Sequence, residues 1–395
     1  MSEINHLMNV YKRRNIRFVS GRGNYLVDTF GREYLDAISG VAVTSLGHSH
    51  PEIAAVIAIQ ASRLLHTSNM FSIEWQERLA EQLCRISGMS RAFFCNSGAE
   101  ANETALKLAR LHGARKGFQA PEVIVMDKSF HGRTFATLSA SGNPAGHAGF
   151  APLVPGFRRV PFGDIDAIRK IAGQACQVTA VLMEPVQGEG GVNVASPDFL
   201  RSVRQICTEQ GWLLMMDEVQ TGLGRTGKWF GFQHADILPD VITVAKALGN
   251  GIPVGGCLAS GEAAGYFMPG NHGSTFGGNP LACRVGCQVI DIIERDNLLM
   301  NASEGGILLR DYLRSQMQDF ECVTAIRSHG MMAGIEFSRP CEELADICAS
   351  QEKLLINVTR EKTVRLLPAL ISTENEIAMI AQRLARATRT WLRKE

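Results

Sequence analysis

Asp217-Glu218-Val219-Gln220-Thr221-Gly222-Leu223-Gly224-Arg225-Thr226-Gly227 follows directly on an apolar run, Trp212–Met216, and Lys246 follows a second one, Val241–Ala245. Both runs are continuously hydrophobic and bounded by turn residues, which predicts buried strands of a parallel sheet. An acid and an amine therefore lie where strands end, and open α/β sheets build their sites there. A buried carboxylate is costly unless it meets a cation, and a buried lysine tends to have a lowered pKa.

Asp217 and Lys246 allow two interpretations. They are either unrelated strand-end charges in ordinary ion pairs, or two parts of one site. Pyridoxal phosphate needs both groups, a carboxylate against its pyridinium nitrogen and a lysine that forms the Schiff base. The two strand ends alone leave both interpretations open.

The composition describes an ordinary globular protein with room for two or three domains in 395 residues. The net charge of +1 gives no indication of a nucleic-acid partner or an anionic membrane. The 10 cysteines form no C-x-x-C pair, which favours reduced thiols in a reducing compartment. Because the sequence has neither a signal-peptide core nor a membrane-length apolar window, we expect a cytoplasmic protein without membrane contact.

Strands and helices are predicted to alternate along the middle of the chain, which is typical of a parallel α/β sheet covered on both faces. The predicted strands are Glu122–Asp127, Val178–Glu184, Trp212–Glu218, Asp240–Lys246 and Gly255–Ser260. The predicted helices between them include Asp164–Ala172, Pro197–Gln210 and Glu262–Phe267. After Pro280, long helices and short strands are typical of a smaller α+β domain.

A strand at Arg91–Cys95 turns through Asn96-Ser97-Gly98-Ala99 into a helix rich in alanine and leucine. The free N–H groups and positive dipole end of such a helix start can bind an anion. A plain N-cap by Asn96 or Ser97 explains the same residues equally well.

His48 and His50 raise the question of a metal site. No third ligand lies nearby in the sequence, and Ser49 and Pro51 make a good helix start. We therefore predict no metal.

Five motifs follow one another along nearly the whole chain. They are Ser97–Ala101, Phe130–Thr134, Glu184–Glu189, Asp217–Gly227 with Lys246, and Ser274–Pro280. In this order they resemble the motifs of the class III pyridoxal-phosphate aminotransferases. Within this family, Ser39–Val43 and Gly47–Pro51 look most like the acetylornithine-type enzymes.

The resemblance implies the type I aminotransferase fold, α/β with a large domain built on a mainly parallel seven-stranded sheet and a small α+β domain. We expect residues 1–45 to start the small domain, residues 46–285 to form the large domain that binds pyridoxal 5'-phosphate, and residues 286–395 to complete the small domain. The resemblance also implies a homodimer with two shared active sites.

The resemblance gives the cofactor contacts. Lys246 is expected to form the Schiff base and to carry the proton shift, and Asp217 to pair with the pyridinium nitrogen. Phe130 would stack on the ring, although a plain core aromatic is the alternative for it. The other expected contacts are Val219 on the second ring face, Gln220 near the ring hydroxyl, Ser97, Gly98 and Ala99 at the phosphate, and Thr275 reaching the phosphate from the partner subunit.

The resemblance also suggests how two different amino donors are accepted. Arg365 is expected to bind the α-carboxylate of glutamate or 2-oxoglutarate, because arginine suits carboxylates. Glu189 would neutralise Arg365 when the other donor is bound. Arg133, helped by Tyr11, would hold the distal carboxylate, and Ser274 is the remaining expected substrate contact. A surface cation at Arg365 and a solvated acid at Glu189 are the alternatives.

The expected reaction is transfer of the terminal amino group of N-acetylornithine to 2-oxoglutarate, in arginine biosynthesis. Succinylornithine (in arginine breakdown), ornithine and 4-aminobutyrate are alternative donors. Val41 stands where ornithine-type enzymes have a tyrosine, which favours an acylated substrate, and Phe276 stands where relatives often have tyrosine. An aminomutase or racemase of the same fold, and a non-catalytic binding protein, are the other hypotheses.

Overall fold

A seven-stranded sheet forms the centre of the protein. The structure, a computed structural model, describes residues 6–174 and 176–393. The predicted mainly parallel sheet of seven strands is confirmed. In spatial order its strands are Arg91–Cys95, Gly255–Ala259, Val241–Val244, Leu213–Asp217, Val178–Met183, Glu122–Met126 and Phe157–Val160.

Gly255–Ala259 runs against the direction of the other strands, so the expectation of a parallel sheet is wrong at this strand. It pairs antiparallel with both neighbours, Val241–Val244 and Arg91–Cys95. The reason is the short connection from Val244 to Gly255, which holds only a 3-10 turn, Lys246–Gly249. A parallel strand would need a crossover of a dozen or more residues.

Alternate residues of the central strands bury their side chains on opposite faces of the sheet. Val123 and Val125 pack with the helix Gly98–Arg115 on one face. Ile124 and Met126 pack into the larger core on the other face. The helices of that larger core include Pro51–Arg63, Glu74–Ser87, Ile165–Ala172, Pro197–Gln210 and Pro280–Arg295.

The strand Phe157–Val160 and the segment 262–267 also differ from the sequence prediction. The strand Phe157–Val160 was not predicted; it lies at the sheet edge and carries two arginines, which interrupt the apolar pattern. The predicted helix Glu262–Phe267 is a 3-10 turn, Gly261–Gly265, with glycine at both ends. The short helices Phe135–Ala140 and Pro144–His147 complete this half of the chain.

The C-terminal part combines an antiparallel sheet with two long helices, as predicted for an α+β unit. The helices are Leu298–Met317 and Glu374–Leu392, with Glu343–Ile347 and the π turn Cys348–Glu352 between them. The sheet strands, in spatial order, are Val323–Ser328, Ala333–Phe337, Thr363–Leu366 and Asn357–Thr359.

The N-terminal strands join this part of the protein through a second small sheet. Its strands are Phe18–Arg22, Tyr25–Asp28, Glu33–Asp36 and, from the C-terminal part, Leu354–Leu355. Glu33–Asp36 pairs parallel with Leu354–Leu355, so this strand joins the N-terminal strands to the C-terminal part of the protein.

Candidate active site

A cavity of about 380 Å³ opens where the central strands end, next to Asp217 and Lys246. The strand Leu213–Asp217 ends on the acid itself. The neighbouring strand ends at Val244, two residues before the lysine, so Lys246 lies in a turn and not at the strand end that was predicted. The other lining residues include Val43, Asn96, Ser97, Gly98, Ala99, Asn102, Phe130, His131, Arg133, Glu184, Glu189, Val219, Gln220 and Ile252.

Asp217 is buried and held by donors on both carboxylate oxygens. Oδ2 accepts hydrogen bonds from Asn102 Nδ2 and His131 Nδ1, each 2.7 Å long, and Oδ1 accepts one of 3.1 Å from the Val219 N–H. Thr243 Oγ1 donates to the Asn102 side chain at 2.8 Å and fixes its orientation. This network holds the carboxyl group at one place in the cavity wall.

Lys246 lines the same cavity and has a left-handed backbone conformation, with φ of 45°. Its depth in the protein lowers the pKa of its ammonium, and the Arg365 cation lowers it further. The nearby acids Glu189, Asp217 and Glu184 act in the opposite direction without reversing the shift. A lowered pKa increases the share of neutral amine, the form that acts as a nucleophile or a base.

The turn before the helix Gly98–Arg115 lines one side of the cavity. Ser97 caps the helix by accepting from the Glu100 N–H, so the N-cap interpretation is correct. The first-turn N–H groups of Gly98 and Ala99 have no acceptor within the helix and remain for an anion. A Cβ on Gly98 would lie 2.7 Å from Val219 Cγ1, so only glycine allows this close approach.

These residues fit pyridoxal phosphate in shape and chemistry. Phe130 and Val219 supply two apolar surfaces for the ring. The Asp217 carboxylate matches the ring nitrogen, the Lys246 amine matches the aldehyde, and the N-terminus of the helix Gly98–Arg115 matches the phosphate. His131 Nε2 is buried without a hydrogen-bond partner in the described part of the chain, so the cavity wall still has polar capacity for a bound group.

Glu184 is a second buried carboxyl group in the cavity wall. It accepts from the Phe130 N–H at 3.0 Å and from the Gly188 N–H at 3.3 Å. Burial raises its pKa to about 7, although the nearby His131 acts in the opposite direction. Glu184 therefore fixes the backbone that carries Phe130.

Arg365 and Glu189 form an ion pair next to the cavity. Arg365 is 1% exposed and donates to Glu189 Oε1 at 2.7 Å, and at 3.4 Å to Gln220 Oε1. Asn357 Oδ1 accepts from two further nitrogens of the same guanidinium. Arg365 thus contacts two cavity-lining residues without lining the cavity itself, and it is not the surface cation considered as an alternative.

Four residues that were predicted to bind substrate or cofactor lie at the rim of this cavity or outside it. Arg133 is exposed, lines the cavity and places its guanidinium 5.4 Å from the Phe130 ring centre. Tyr11 is 70% exposed and lies outside the cavity lining. Ser274 and Thr275 line a separate cleft, although Ser274 Oγ accepts from the cavity-lining Asn96 side chain at 3.3 Å.

The sequence analysis missed several residues of the cavity wall. Asn102 and His131 bind Asp217, Glu184 holds Phe130, and Val43 lines the opening. Asn102 carried a signal, because it is a polar residue one turn after Gly98 in a helix that is otherwise rich in alanine. His131 and Glu184 lay inside quoted motifs but were given no role.

His48 bonds to Asp36, its Nε2 lying 2.8 Å from Oδ2. Across residues 6–174 and 176–393, no group of three or more His, Cys, Asp or Glu side chains is placed to hold a metal. No helix in the described chain is long and apolar enough to cross a bilayer.

The family model and the relatives that match this chain belong to the same kind of enzyme. The model of the family "Aminotransferase class-III" matches residues 8–388. The acetylornithine aminotransferase of Nitrosomonas europaea is 51% identical over 98% of both chains. That of Aquifex aeolicus is 44% identical over 94% of this chain and 96% of its own.

Solved structures give the same result. The ornithine aminotransferase from Toxoplasma gondii superimposes with a TM-score of 0.94 at 30% identity, covering 99% of this chain and 94% of that one. The N-acetylornithine aminotransferase from Stenotrophomonas maltophilia gives a TM-score of 0.84 at 34% identity, covering 98% of each chain. The chain therefore belongs to the class-III aminotransferase family and is an aminotransferase that uses pyridoxal phosphate.

Proposed function

We propose that this aminotransferase transfers the terminal amino group of N-acetylornithine to 2-oxoglutarate, giving N-acetylglutamate semialdehyde and glutamate. The observation that carries the proposal is the ion pair between the buried Arg365 and the partly exposed Glu189, beside the cavity of Lys246. A buried arginine that can exchange an internal carboxylate for one from a substrate suits an enzyme with two unlike donors. The acetylornithine aminotransferase of Nitrosomonas europaea, which is 51% identical to this chain, supports the same substrate.

Pyridoxal phosphate, when bound, accepts the amino group and withdraws electrons from the substrate carbon that carries it. We assign the ring-nitrogen contact to Asp217, the ring faces to Phe130 and Val219, and the contact near the ring hydroxyl to Gln220. We assign the contacts with the phosphate to Ser97, Gly98 and Ala99.

Lys246 is the proposed catalytic base. Its Nζ, with a lowered pKa, takes the proton from the carbon that bears the donor amine. Depth in the protein and the Arg365 cation keep this nitrogen more often neutral than that of a surface lysine.

Arg365 and Glu189 distinguish the two half-reactions. When N-acetylornithine binds through its terminal amine, its α-carboxylate lies far from Lys246, and the Arg365–Glu189 pair stays closed, as in this structure. When glutamate binds, its α-carboxylate replaces Glu189 on the guanidinium. Arg133, at the cavity mouth, holds the distal carboxylate in both cases, with Tyr11 and Ser274 as further contacts.

We also propose a homodimer in which Thr275 of each subunit reaches the phosphate of the other. The exposed position of Thr275, outside the cavity of its own chain, supports this assignment. Mixing inactive Lys246→Ala and Thr275→Ala chains would test it, because hybrid dimers regain one intact site. The division into residues 1–45, 46–285 and 286–395 stays a proposal, and residue 285 lies within the helix Pro280–Arg295.

A substrate panel tests the function. Purified protein with pyridoxal phosphate and 2-oxoglutarate is assayed for glutamate with N-acetylornithine, N-succinylornithine, ornithine and 4-aminobutyrate. We expect the highest kcat/KM for N-acetylornithine, and no turnover without 2-oxoglutarate. Turnover without a keto acid would point instead to an aminomutase, and a preference for another donor would replace the proposed substrate.

A further inference from the structure

Residues 39–42 form one turn of left-handed helix. Ser39, Gly40, Val41 and Ala42 have φ values of 46°, 62°, 66° and 62°, and the Val43 N–H donates to the Ser39 carbonyl at 2.8 Å. Three of these residues have side chains that disfavour this conformation, and a β-branched valine disfavours it most. Consecutive strained residues persist only where their surroundings hold them, and such strain clusters at functional sites.

Asp36 holds the start of this turn. Its Oδ1 accepts from the N–H groups of Ile38 and Ser39, each at 2.9 Å, and its Oδ2 lies 2.8 Å from His48 Nε2. Asp36 is 3% exposed, so water does not replace these bonds. The carboxylate therefore ties both ends of the segment 37–47 together and opposes the strain in the turn.

Hydrogen bonds connect the same segment to the strand that carries Arg365 and to the loop after Lys246. The Leu367 N–H, two residues after Arg365, donates to the Ala37 carbonyl at 2.7 Å. The Leu46 N–H donates at 2.9 Å to Asn250 Oδ1, in the loop that follows Lys246.

The side chains of the turn pack under the loop that carries Glu189. Ala42 lies in one buried cluster with Val186 and Val192, which stand three residues before and after Glu189. Leu367 belongs to the same cluster. A shift of the turn therefore moves the supports of both Glu189 and Arg365.

We propose that the strained turn Ser39–Ala42, held by Asp36 and His48, is a positioning element that keeps Glu189 on Arg365 and so sets the preference between the two amino donors. The inference rests on the proposed function for the identity of the donors. Releasing the turn loosens the Glu189 loop and makes Arg365 more available to an incoming carboxylate.

Asp36→Ala tests the proposal through binding as well as turnover. The probe is glutarate, a dicarboxylate with neither an amine nor a keto group, titrated calorimetrically into the holoenzyme. We expect glutarate to bind about fivefold more tightly to Asp36→Ala than to wild type, the size of a modest coupling between sites. The ratio of kcat/KM for glutamate over N-acetylornithine, from separate half-reactions, should rise by about the same factor.

Asp28→Ala is the matched control. Asp28 is also a buried carboxylate of the N-terminal strands, and it accepts from the Phe30 and Arg32 N–H groups. It lies outside the cavity lining and outside the cluster of Ala42. Its variant should lose thermal stability, as Asp36→Ala does, with glutarate affinity unchanged.

Ser39→Gly removes strain from the turn and leaves the bonds of Asp36 in place. Glycine adopts the left-handed conformation without strain, and Ser39 lies outside the cavity lining and the cluster of Ala42, so glutarate should bind no more tightly than to wild type. Equal glutarate affinity in wild type and Asp36→Ala, or an equal gain in Ser39→Gly, would overturn the inference. If Asp36→Ala does not fold, Asp36→Asn replaces it. Glutarate should again bind more tightly than to wild type, and equal affinity would again overturn the inference.

These outcomes are separate from those of the substrate panel. Glutarate binding reports on Arg365 whichever amino donor the enzyme uses. Failure of N-acetylornithine as a substrate would change the proposed function, whereas unchanged glutarate affinity would remove only the role of the turn.

Discussion

Replacing Asp217 by asparagine removes one charge from the centre of the site and keeps the size of the side chain. The two carboxylate oxygens accept from Asn102, His131 and the Val219 N–H. Asparagine has a single acceptor oxygen, so its NH₂ group must face at least one of these donors. A buried donor left without a partner costs about 2 kcal/mol, or roughly 2–3 °C in melting temperature for a chain of this size.

The same substitution weakens the contact with the cofactor's ring nitrogen. A hydrogen bond to a charged group contributes about 1.5–3 kcal/mol, so pyridoxal phosphate should bind roughly 10- to 100-fold more weakly. We expect kcat to fall by at least a similar factor, because a neutral partner no longer favours a protonated ring nitrogen. Titration of apoprotein with pyridoxal phosphate, single-turnover absorbance and thermal unfolding measure the three effects.

Asp240→Asn is the matched control for Asp217→Asn. Asp240 accepts from the Leu214 N–H and Arg204, each at 2.7 Å, and does not line the cavity. Its variant should lose stability with cofactor affinity unchanged. If Asp217→Asn bound pyridoxal phosphate as wild type does and kept its kcat within about threefold, the assigned role of Asp217 would be refuted.

Three further predictions concern the donor pair, a buried acid and the phosphate turn. Glu189→Ala should free Arg365 for carboxylates, so glutarate and glutamate bind roughly tenfold more tightly while the N-acetylornithine half-reaction slows. Burial raises the pKa of Glu218 to about 7 from 4.5. Glu218 therefore makes the wild-type protein less stable as the pH rises from about 4.5 through 7, because the unfolded chain loses this proton first. Glu218→Gln should remove up to about 3 kcal/mol of this pH dependence of the free energy of unfolding, measured by thermal unfolding. Gly98→Ala places a methyl group 2.7 Å from a valine side chain and should weaken pyridoxal phosphate binding roughly tenfold, whereas Gly265→Ala, in open space, should not.

Each of these predictions has a contrary result. Unchanged glutarate affinity in the first variant would show that the internal carboxylate does not compete for the arginine. A pH profile of unfolding in Glu218→Gln that overlays the wild-type profile would contradict the raised pKa. Equal cofactor affinity in the two glycine variants would show that the close approach at the helix start is unimportant.

Sequence reasoning located the residues whose signal is local. Asp217 ends an apolar run and Gly98 starts a strongly helical segment, so their places could be read from neighbouring residues, whereas Lys246 lies in the turn after its strand. Asn102 and His131 could not be assigned in this way, because their shared partner Asp217 lies 115 and 86 residues further along the chain. Their roles arise only when the strand and the helix pack together.

The pattern of residues also does not predict the direction of one strand or the left-handed turn. Gly255–Ala259 has the same apolar character whether it pairs parallel or antiparallel, and only the short connection before it decides. Val41 is β-branched, which predicts extended backbone, yet it lies in a left-handed turn that packs against Val186, Val192 and Leu367. Tertiary contacts override local preference there.

The first half-reaction can be observed by itself in the holoenzyme. The holoenzyme is mixed with N-acetylornithine without any keto acid, and the visible absorbance of the cofactor is followed. We predict a stoichiometric change that 2-oxoglutarate reverses with release of one equivalent of glutamate, and no such cycle in Lys246→Ala. An unchanged spectrum in wild type, or the same cycle in Lys246→Ala, would contradict the account.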